Sequence, residues 1–281
     1  MVGIDGSATA RAALRWAICE AALDDAELEV VHAWHTPRLI VPEAYSVELV
    51  EEGDIEQAAR VLIAEELAKV GAGAGLVPIV RTPRHGTAAR SLVDRSAGAL
   101  LVVVGRSGVG GHSLLGTVAD QVAHHAACPV VVVPGREAVP TGEIVVGVDG
   151  SEHAADAARW AFDEARRRDL NLVALLAWSL LDQVPLPGGR DFDPNYRADE
   201  AHRALDAALA DALPEGSRGV TRRVVNDLAA DALVAASETA DLLVVGARGL
   251  GGFRSLLLGS VSRKVLDRAL CPTVVIRHTE P

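Results

Sequence analysis

The feature that most constrains the fold is an internal duplication. The segment Val2–Ser7, with the sequence Val-Gly-Ile-Asp-Gly-Ser, returns as Val-Gly-Val-Asp-Gly-Ser at Val146–Ser151. The pairs Arg15-Trp16 and Cys128-Pro129 return in the same order, at nearly the same spacing of roughly 140 residues. A period of this size matches a whole domain and is too long for a solenoid repeat. The chain is therefore predicted to contain two similar domains.

The boundary between these domains falls in a polar stretch that contains proline and glycine, residues 134–142. Such a composition is typical of a linker. We place the first domain at residues 1–137 and the second at residues 142–281. Two domains also agree with the length of 281 residues.

Each half alternates short apolar runs with amphipathic stretches. In the second half, the pattern predicts strands at 144–148, 172–177, 220–225, 242–245 and 273–276, and helices at 154–168, 196–212, 228–238 and 261–268. Valine-rich runs separated by helices indicate parallel strands buried on both faces. We therefore predict an α/β fold with a five-stranded, mainly parallel sheet in each domain.

Two strand orders, 3-2-1-4-5 and 2-1-3-4-5, remain open for such a sheet. If strands one and four are neighbours, a ligand crevice forms between their carboxyl ends. In the second half, this order would bring Asp149, which follows strand one, next to Gly246, which follows strand four. In the first half, it would bring Asp5 next to Gly105.

The segment after strand four has the composition of a phosphate-binding loop. Gly246 and Gly249 follow the strand, and Gly259-Ser260 comes nine residues later, at the start of a helical pattern. Glycines let backbone N–H groups approach an anion closely, and a helix N-terminus adds a favourable dipole. A glycine turn and an ordinary helix cap are the structural alternative, and Asp149 could itself cap the next helix.

The first half carries a shorter version of this loop. Only seven residues separate Gly108 from Gly116-Thr117. A loop shortened by two residues cannot follow the same path around a triphosphate, because each residue spans at most about 3.6 Å. We therefore expect the stronger nucleotide site in the second half.

These paired motifs resemble those of the universal stress protein family. The pattern Gly-x2-Gly-x9-Gly-Ser, after a first strand that ends Val-Gly-Val-Asp-Gly-Ser, is similar to the ATP-binding branch of this family, and the chain is similar to its tandem-domain members. The resemblance implies Rossmann-like domains of the adenine nucleotide alpha hydrolase-like type, ATP binding with Mg²⁺, a regulatory role in stress or dormancy, and a homodimer. It also implies edge-to-edge pairing of the last strands, 130–133 and 273–276, within one chain or between chains.

The resemblance also implies which residues contact the nucleotide. In the second half these are Gly147, Asp149, Gly246, Arg248, Gly249, Gly251, Gly252, Gly259, Ser260 and Val261. In the first half they are Gly3, Asp5, Gly105, Gly108, Gly116, Thr117 and Val118. Adenine would lie against the backbone just after strand two, near Ala177. No catalytic or metal-ligating residue is predicted.

Charge and composition favour some function classes over others. A net charge of −11 argues against a nucleic-acid partner. We expect no membrane span, since no apolar run approaches about 18 residues. No charged-then-apolar leader is visible, so no signal peptide is expected, and the cysteine usage favours the reducing cytoplasm as the compartment. The three cysteines lie far apart, without the spacing of metal ligands, and Cys128 and Cys271, each before a proline at a strand start, are expected to be buried packing residues. The arginine run 166–168 reads as a solvated helix face.

Three functional hypotheses follow from the sequence. The first is a nucleotide-binding regulatory protein. The second is a slow ATPase, although the chain has no Gly-x4-Gly-Lys-Ser/Thr motif to place a lysine on the β- and γ-phosphates. We therefore do not predict an enzyme. The third is a dimerising scaffold whose first-domain pocket is vestigial. The sequence does not identify a downstream protein partner.

Overall fold

The computed structural model describes residues 1–36, 51–108, 115–135, 141–179, 194–214, 217, 219–250 and 257–278. In the first half the elements are β1 (Val2–Gly3), α1 (Ala8–Leu23), β2 (Leu28–Trp34), α2 (Glu52–Val70), a 3-10 helix (Gly71–Gly75), β3 (Ile79–His85), α3 (Ala88–Ser96), β4 (Val102–Gly105), α4 (Thr117–His125) and β5 (Val130–Val133). In the second half they are β6 (Glu143–Gly147), α5 (Glu152–Arg168), β7 (Asn171–Trp178), α6 (Pro194–Ala212), β8 (Val220–Asn226), α7 (Ala229–Ala236), β9 (Leu242–Gly246), α8 (Ser260–Arg268) and β10 (Thr273–Ile276).

The strands form one ten-stranded sheet in the order β3-β2-β1-β4-β5-β10-β9-β6-β7-β8. Each half therefore has the order 3-2-1-4-5, which decides between the two predicted alternatives. All pairings within a half are parallel. The two halves meet at β5 and β10, which pair antiparallel with Val131 opposite Val274. The pairing of the last strands is thus made within one chain.

Residue type explains the positions of the strands in this sheet. The central strands β5 and β10 are buried along their whole length, and their valines suit a sheet that is covered on both faces. The edge strands β3 and β8 carry Arg81, Pro83 and Arg222 among their exposed or partly exposed positions. Charged residues and proline on an edge strand oppose further strand addition.

Helices α1 and α5 start in the same way in both halves. The hydroxyl of Ser7 accepts a hydrogen bond from Ala10 N, and the hydroxyl of Ser151 accepts one from Ala154 N. These N-caps fix the first turn of each helix directly after strand one. The repeated Asp-Gly-Ser segment therefore sets the position of the helix that crosses the centre of each half.

The halves are also joined by buried charges between α1 and α5. Glu20 and Glu164 are almost fully buried, and Arg168 forms ion pairs with both carboxylates. Arg167 Nη2 lies 3.0 Å from Glu20 Oε1, and Arg167 also pairs with Glu164. The prediction of a solvated face for the arginine run is therefore wrong at Arg168, which is partly buried, whereas Arg167 is exposed as predicted but also pairs with both buried carboxylates. These arginines neutralise carboxylates that burial would otherwise destabilise.

Candidate functional site

Each half contains a cavity at the carboxyl ends of its first and fourth strands. The second-half cavity lies beyond β6 and β9 and has a volume of about 510 Å³. The first-half cavity lies beyond β1 and β4 and measures about 480 Å³. In both halves, this is the point where the strand order reverses, which is where ligands bind in open α/β sheets.

The structure brings most of the predicted site residues to these two cavities. The second-half cavity is lined by Gly147, Asp149, Gly246, Arg248, Gly249, Gly259, Ser260 and Val261. The first-half cavity is lined by Gly3, Asp5, Gly105, Gly108, Gly116, Thr117 and Val118. Gly251 and Gly252 lie outside the described residues, as do residues 109–114 of the shorter loop.

Asp149 connects the end of strand one to the glycine loop. Its Oδ1 accepts hydrogen bonds from the backbone N of Ser151 at 3.0 Å and from the Ser151 hydroxyl at 2.7 Å. Its Oδ2 accepts one from Leu250 N at 3.1 Å. In the first half, Asp5 Oδ1 accepts from Ser7 N at 2.9 Å. The aspartate therefore orders a turn and also faces the cavity.

The first two glycines of each loop are required because neighbouring atoms lie too close to leave room for a side chain. A Cβ atom on Gly249 would overlap the carboxylate of Asp149, and a Cβ on Gly108 would lie 2.7 Å from Asp5 Oδ2. A Cβ on Gly246 would lie 2.7 Å from the backbone carbonyl carbon of His153. These glycines let the loop after strand four pass directly against strand one and the helix that follows it.

The third glycine of each loop begins a helix whose N-terminus points to the cavity. Gly259 is the N-cap of α8, and its own N–H donates to Ala247 O at 2.7 Å. Gly116 caps α4 in the same way, with its N–H on Arg106 O at 2.7 Å. Among the described residues, no side chain caps either helix. The first-turn N–H groups of such a helix are suited to an anion.

The base of each cavity is apolar, which the sequence analysis did not predict in detail. Val148, Leu175, Leu233 and Val245 line the second-half cavity, and Ile4, Val31, Leu92 and Val104 line the first. These residues occur as equivalent pairs in the duplication, so a closer comparison of the halves could have found them. Ala177, predicted near adenine, also lines the cavity, whereas the residues from 180 to 193 are outside the described part.

A polar network beside the second cavity was also missed. Arg248 Nε donates to Nε2 of His153 at 2.9 Å, and His278 N faces Nδ1 of the same ring at 2.9 Å. Burial lowers the pKa of His153, and the positive charge of Arg248 lowers it further. His278 Nδ1 lies 2.6 Å from Asp156 Oδ2. The arginine of the glycine loop is therefore held by a buried histidine.

Arg106 and Arg248 lie in corresponding loops but make different contacts. Arg106 lines the first cavity, and its Nη1 donates to Ala269 O of the second half at 2.8 Å. Burial lowers the pKa of Arg106, although the group remains a cation at neutral pH. This arginine therefore also links the two halves.

Two structural observations bear on the other predicted function classes. Among the described residues, no helix is long and apolar enough to span a membrane. Within the same ranges, no group of three or more histidine, cysteine, aspartate or glutamate side chains could hold a metal ion. Cys128 and Cys271 are buried.

Comparisons with known proteins agree with this architecture. The sequence profile described as "Universal stress protein family" matches residues 1–134 and 141–277. The universal stress protein Rv2005c of Mycobacterium tuberculosis is 36% identical over 99% of this chain and 97% of its own length. A crystal structure of a universal stress protein from Archaeoglobus fulgidus has a TM-score of 0.69 at 19% identity and covers 100% of this chain and 96% of its own.

One further solved structure matches only half of the chain. It is a universal stress protein in complex with cAMP, and it covers 51% of this chain and 100% of its own at 28% identity, with a TM-score of 0.34.

Proposed function

This chain belongs to the universal stress protein family, and we propose that it binds ATP in its glycine-lined cavities, most strongly in the second half. One observation carries the proposal. The Asp149 carboxylate, the Gly249 loop and the N-terminus of α8 meet at one apolar-based cavity. This combination offers apolar contact for a base and backbone donors for phosphates.

Different parts of the cavity suit different parts of the nucleotide. The apolar base, with Leu175 and Leu233, suits a planar adenine ring. The loop from Gly246 to Gly249 and the first turn of α8 suit the phosphates, to which Ser260 adds a hydroxyl. We propose that Asp149 accepts a hydrogen bond from a ribose hydroxyl.

Mg²⁺ fits this site only if the phosphates of the nucleotide supply most of its protein-independent ligands, together with water. Asp149 is the one carboxylate among the described residues that line the second cavity, and both of its oxygens already accept hydrogen bonds. Mg²⁺ keeps several waters and is usually held by one or two carboxylates together with substrate phosphates. Asp149 would contact such an ion through water, and the ion would neutralise phosphate charge.

We propose a regulatory role in stress or dormancy rather than catalysis. In the described part of the cavities we find no base placed beside a nucleophile, and the sequence has no Walker-type lysine. ATP would then act as a ligand that stabilises one conformation of a cytoplasmic protein. Slow hydrolysis is the second candidate, and a scaffold with a vestigial first pocket is the third.

The proposed homodimer cannot use the last strands as its edge. Strands β5 and β10 pair with each other inside the chain, and each has a parallel neighbour on its other side. The edges of the sheet are β3 and β8, which carry arginines. We therefore propose that a homodimer of this chain associates through a helical face.

The nucleotide content of the purified protein tests the proposal. The protein is denatured, and the released nucleotide is identified and quantified by chromatography before and after incubation with ATP and Mg²⁺. About two ATP per chain would support both cavities, and about one would support the stronger second site. ADP would favour hydrolysis and call for a turnover assay. No nucleotide under either condition would contradict the proposal and favour the scaffold.

A further inference from the structure

The glycine loop of the first cavity is held by residues of the second half. Leu115, which directly precedes the N-cap Gly116 of α4, donates its backbone N–H to Asp267 Oδ1 at 2.7 Å. Arg106 lines the first cavity, and its Nη1 donates to Ala269 O at 2.8 Å. Both acceptors lie at the C-terminal end of α8. One wall of the first cavity is therefore supported by a helix of the other half.

Arg106 connects these contacts to the start of α4. Its carbonyl accepts the N–H of Gly116 at 2.7 Å, and its side chain donates to Ala269, the C-cap of α8. A cation at a helix C-terminus is favourable. Burial lowers the pKa of Arg106, and the nearby Asp267 carboxylate raises it. The end of α8 therefore fixes the glycine loop at its beginning, through Arg106, and at its end, through Leu115.

Asp267 lies in an unfavourable place for its own helix. It is in the last turn of α8, where the helix dipole disfavours a carboxylate. The hydrogen bond from Leu115 and the charge of Arg106 oppose this effect, and both partners belong to the first half. The position of Asp267 therefore serves the first cavity rather than α8.

The duplication does not repeat these two side chains. The residue equivalent to Arg106 is Ala247, which has no side-chain donor. The residue equivalent to Asp267 is His124, whose Nδ1 faces the carbonyl of Asp120 in its own helix at 2.7 Å. The first loop is also the shorter of the two by two residues. Support from the other half thus accompanies the shorter loop.

We propose that Asp267 is a positioning residue for the nucleotide site of the first half. By holding Leu115, it fixes the N-terminus of α4, whose residues Thr117 and Val118 line the first cavity. The first-turn N–H groups of this helix are the donors suited to phosphate, and donors that are already ordered cost less free energy on binding. This inference rests on the proposed function, because it concerns nucleotide binding in the first cavity.

The experiment measures ATP affinity at each site separately. Gly249→Lys blocks the second site, Gly108→Lys blocks the first, and calorimetry gives the dissociation constant in each background. Asp267→Ala removes the acceptor for Leu115, whereas Asp267→Asn keeps an oxygen acceptor without the charge. The matched control is Asp24→Ala. It also removes a carboxylate that pairs with the other half, but it lies at the end of α1 that is far from the first cavity.

We expect Asp267→Ala to weaken ATP binding at the first site about tenfold, because it removes the charge-assisted hydrogen bond that orients the phosphate donors. Asp267→Asn should weaken it only about threefold, since an amide oxygen still accepts from Leu115. The second site should change by less than about twofold in either variant, and Asp24→Ala should leave both sites within this range.

Thermal melts establish that each variant is folded. If a blocked background does not fold, the ATP content of Asp267→Ala in the otherwise unmodified chain decides the outcome. It is measured at the lowest ATP concentration that fills both sites of the unmodified protein. Loss of ATP from one site only supports the inference, and full occupancy contradicts it.

Three results would overturn the inference while leaving the proposed function intact. One is an unchanged first-site constant in Asp267→Ala. Another is equal weakening at both sites, which would indicate a general structural role. The third is an unmodified chain that binds ATP in the second cavity only. The absence of nucleotide binding at both sites of the unmodified protein would instead overturn the proposed function, and this inference with it.

Discussion

Glu20 and Glu164 occupy equivalent positions in the two halves and share the same pair of arginines. Both carboxylates are buried, and Arg167 and Arg168 contact each of them. The arginines belong to the second half alone, since the first half has Leu23 and Asp24 at the corresponding places. Asp24 pairs with Arg167 as well. The two similar halves are therefore joined by ion pairs in which both arginines come from the second half.

Glu164→Gln should therefore destabilise the protein by about 2 kcal/mol. Removing one member of a buried ion pair is strongly destabilising, and the partial exposure of both guanidinium groups reduces the effect. Urea denaturation followed by circular dichroism measures it. The matched control is Glu56→Gln, which breaks the exposed pair with Arg60 at 2.5 Å and should cost less than about 1 kcal/mol. Equal losses in the two variants would refute the special role of the buried pair.

Substitution of a loop glycine should abolish nucleotide binding in one cavity and leave binding in the other unchanged. Gly249→Lys and Gly108→Lys each displace an aspartate carboxylate at the mouth of one cavity. Each variant should keep its fold, because the displaced group is the end of a side chain, and each should lose the nucleotide of its own half. Nucleotide stoichiometry by chromatography measures this loss. Wild-type binding by a folded Gly249→Lys protein would contradict the site assignment.

Gly246→Val provides the contrasting control. Its Cβ would meet the backbone of His153 at 2.7 Å, and backbone in a packed helix cannot move aside as a carboxylate can. We expect this variant to lose at least about 2 kcal/mol of unfolding free energy. A fully stable Gly246→Val protein would show that α5 is not held tightly against β9.

The three cysteines should differ sharply in reactivity. Burial raises the pKa of Cys128 to about 11 and that of Cys271 to about 12, whereas Cys19 is exposed. Because the thiolate is the nucleophile, a disulfide reagent at pH 8 should label one thiol quickly in the folded protein and three after denaturation. Cys19→Ser should abolish the fast reaction. Rapid labelling of a second thiol would contradict the buried positions.

Local pattern predicted the elements of the second half well. The strand predicted at 273–276 is β10 as observed, and the predicted helix ends at 168 and 268 are also observed. The choice between two strand orders could not be made from the chain, because strand neighbours are decided by pairing between distant segments. The internal pairing of β5 with β10 was left open for the same reason.

The sequence analysis identified those cavity residues that recur in both halves. Glycines and aspartates at equivalent positions were visible in the sequence, and the structure places the described ones at the two cavities. His153 was not visible, because its counterpart is Thr9 and its partner His278 is distant along the chain. Its role depends on three elements meeting, which no local pattern encodes.

Acidification should destabilise the folded protein through His153. Its folded-state pKa is lowered from 6.5, first by burial and then by the charge of Arg248. Among the described residues, His278 and Arg277 also lower the pKa of His153, whereas Asp156 raises it. The unfolded chain therefore binds a proton more readily than the folded protein does. The stabilising effect is complete above about pH 6.5 and is lost as the pH falls below it.

His153→Gln should remove this part of the pH dependence. Between about pH 7.5 and pH 5.5, the unmodified protein should lose unfolding free energy with a contribution from His153 of at most about 1.4 kcal/mol per pH unit. The pKa of Asp156 is lowered from 3.8 by hydrogen bonds from His278 and Arg159, which outweigh the opposing effect of its burial, so Asp156 titrates outside this range. Urea denaturation at a series of pH values measures both proteins. Parallel curves for the two proteins would contradict a neutral, buried His153, and a flatter curve for the variant would support it.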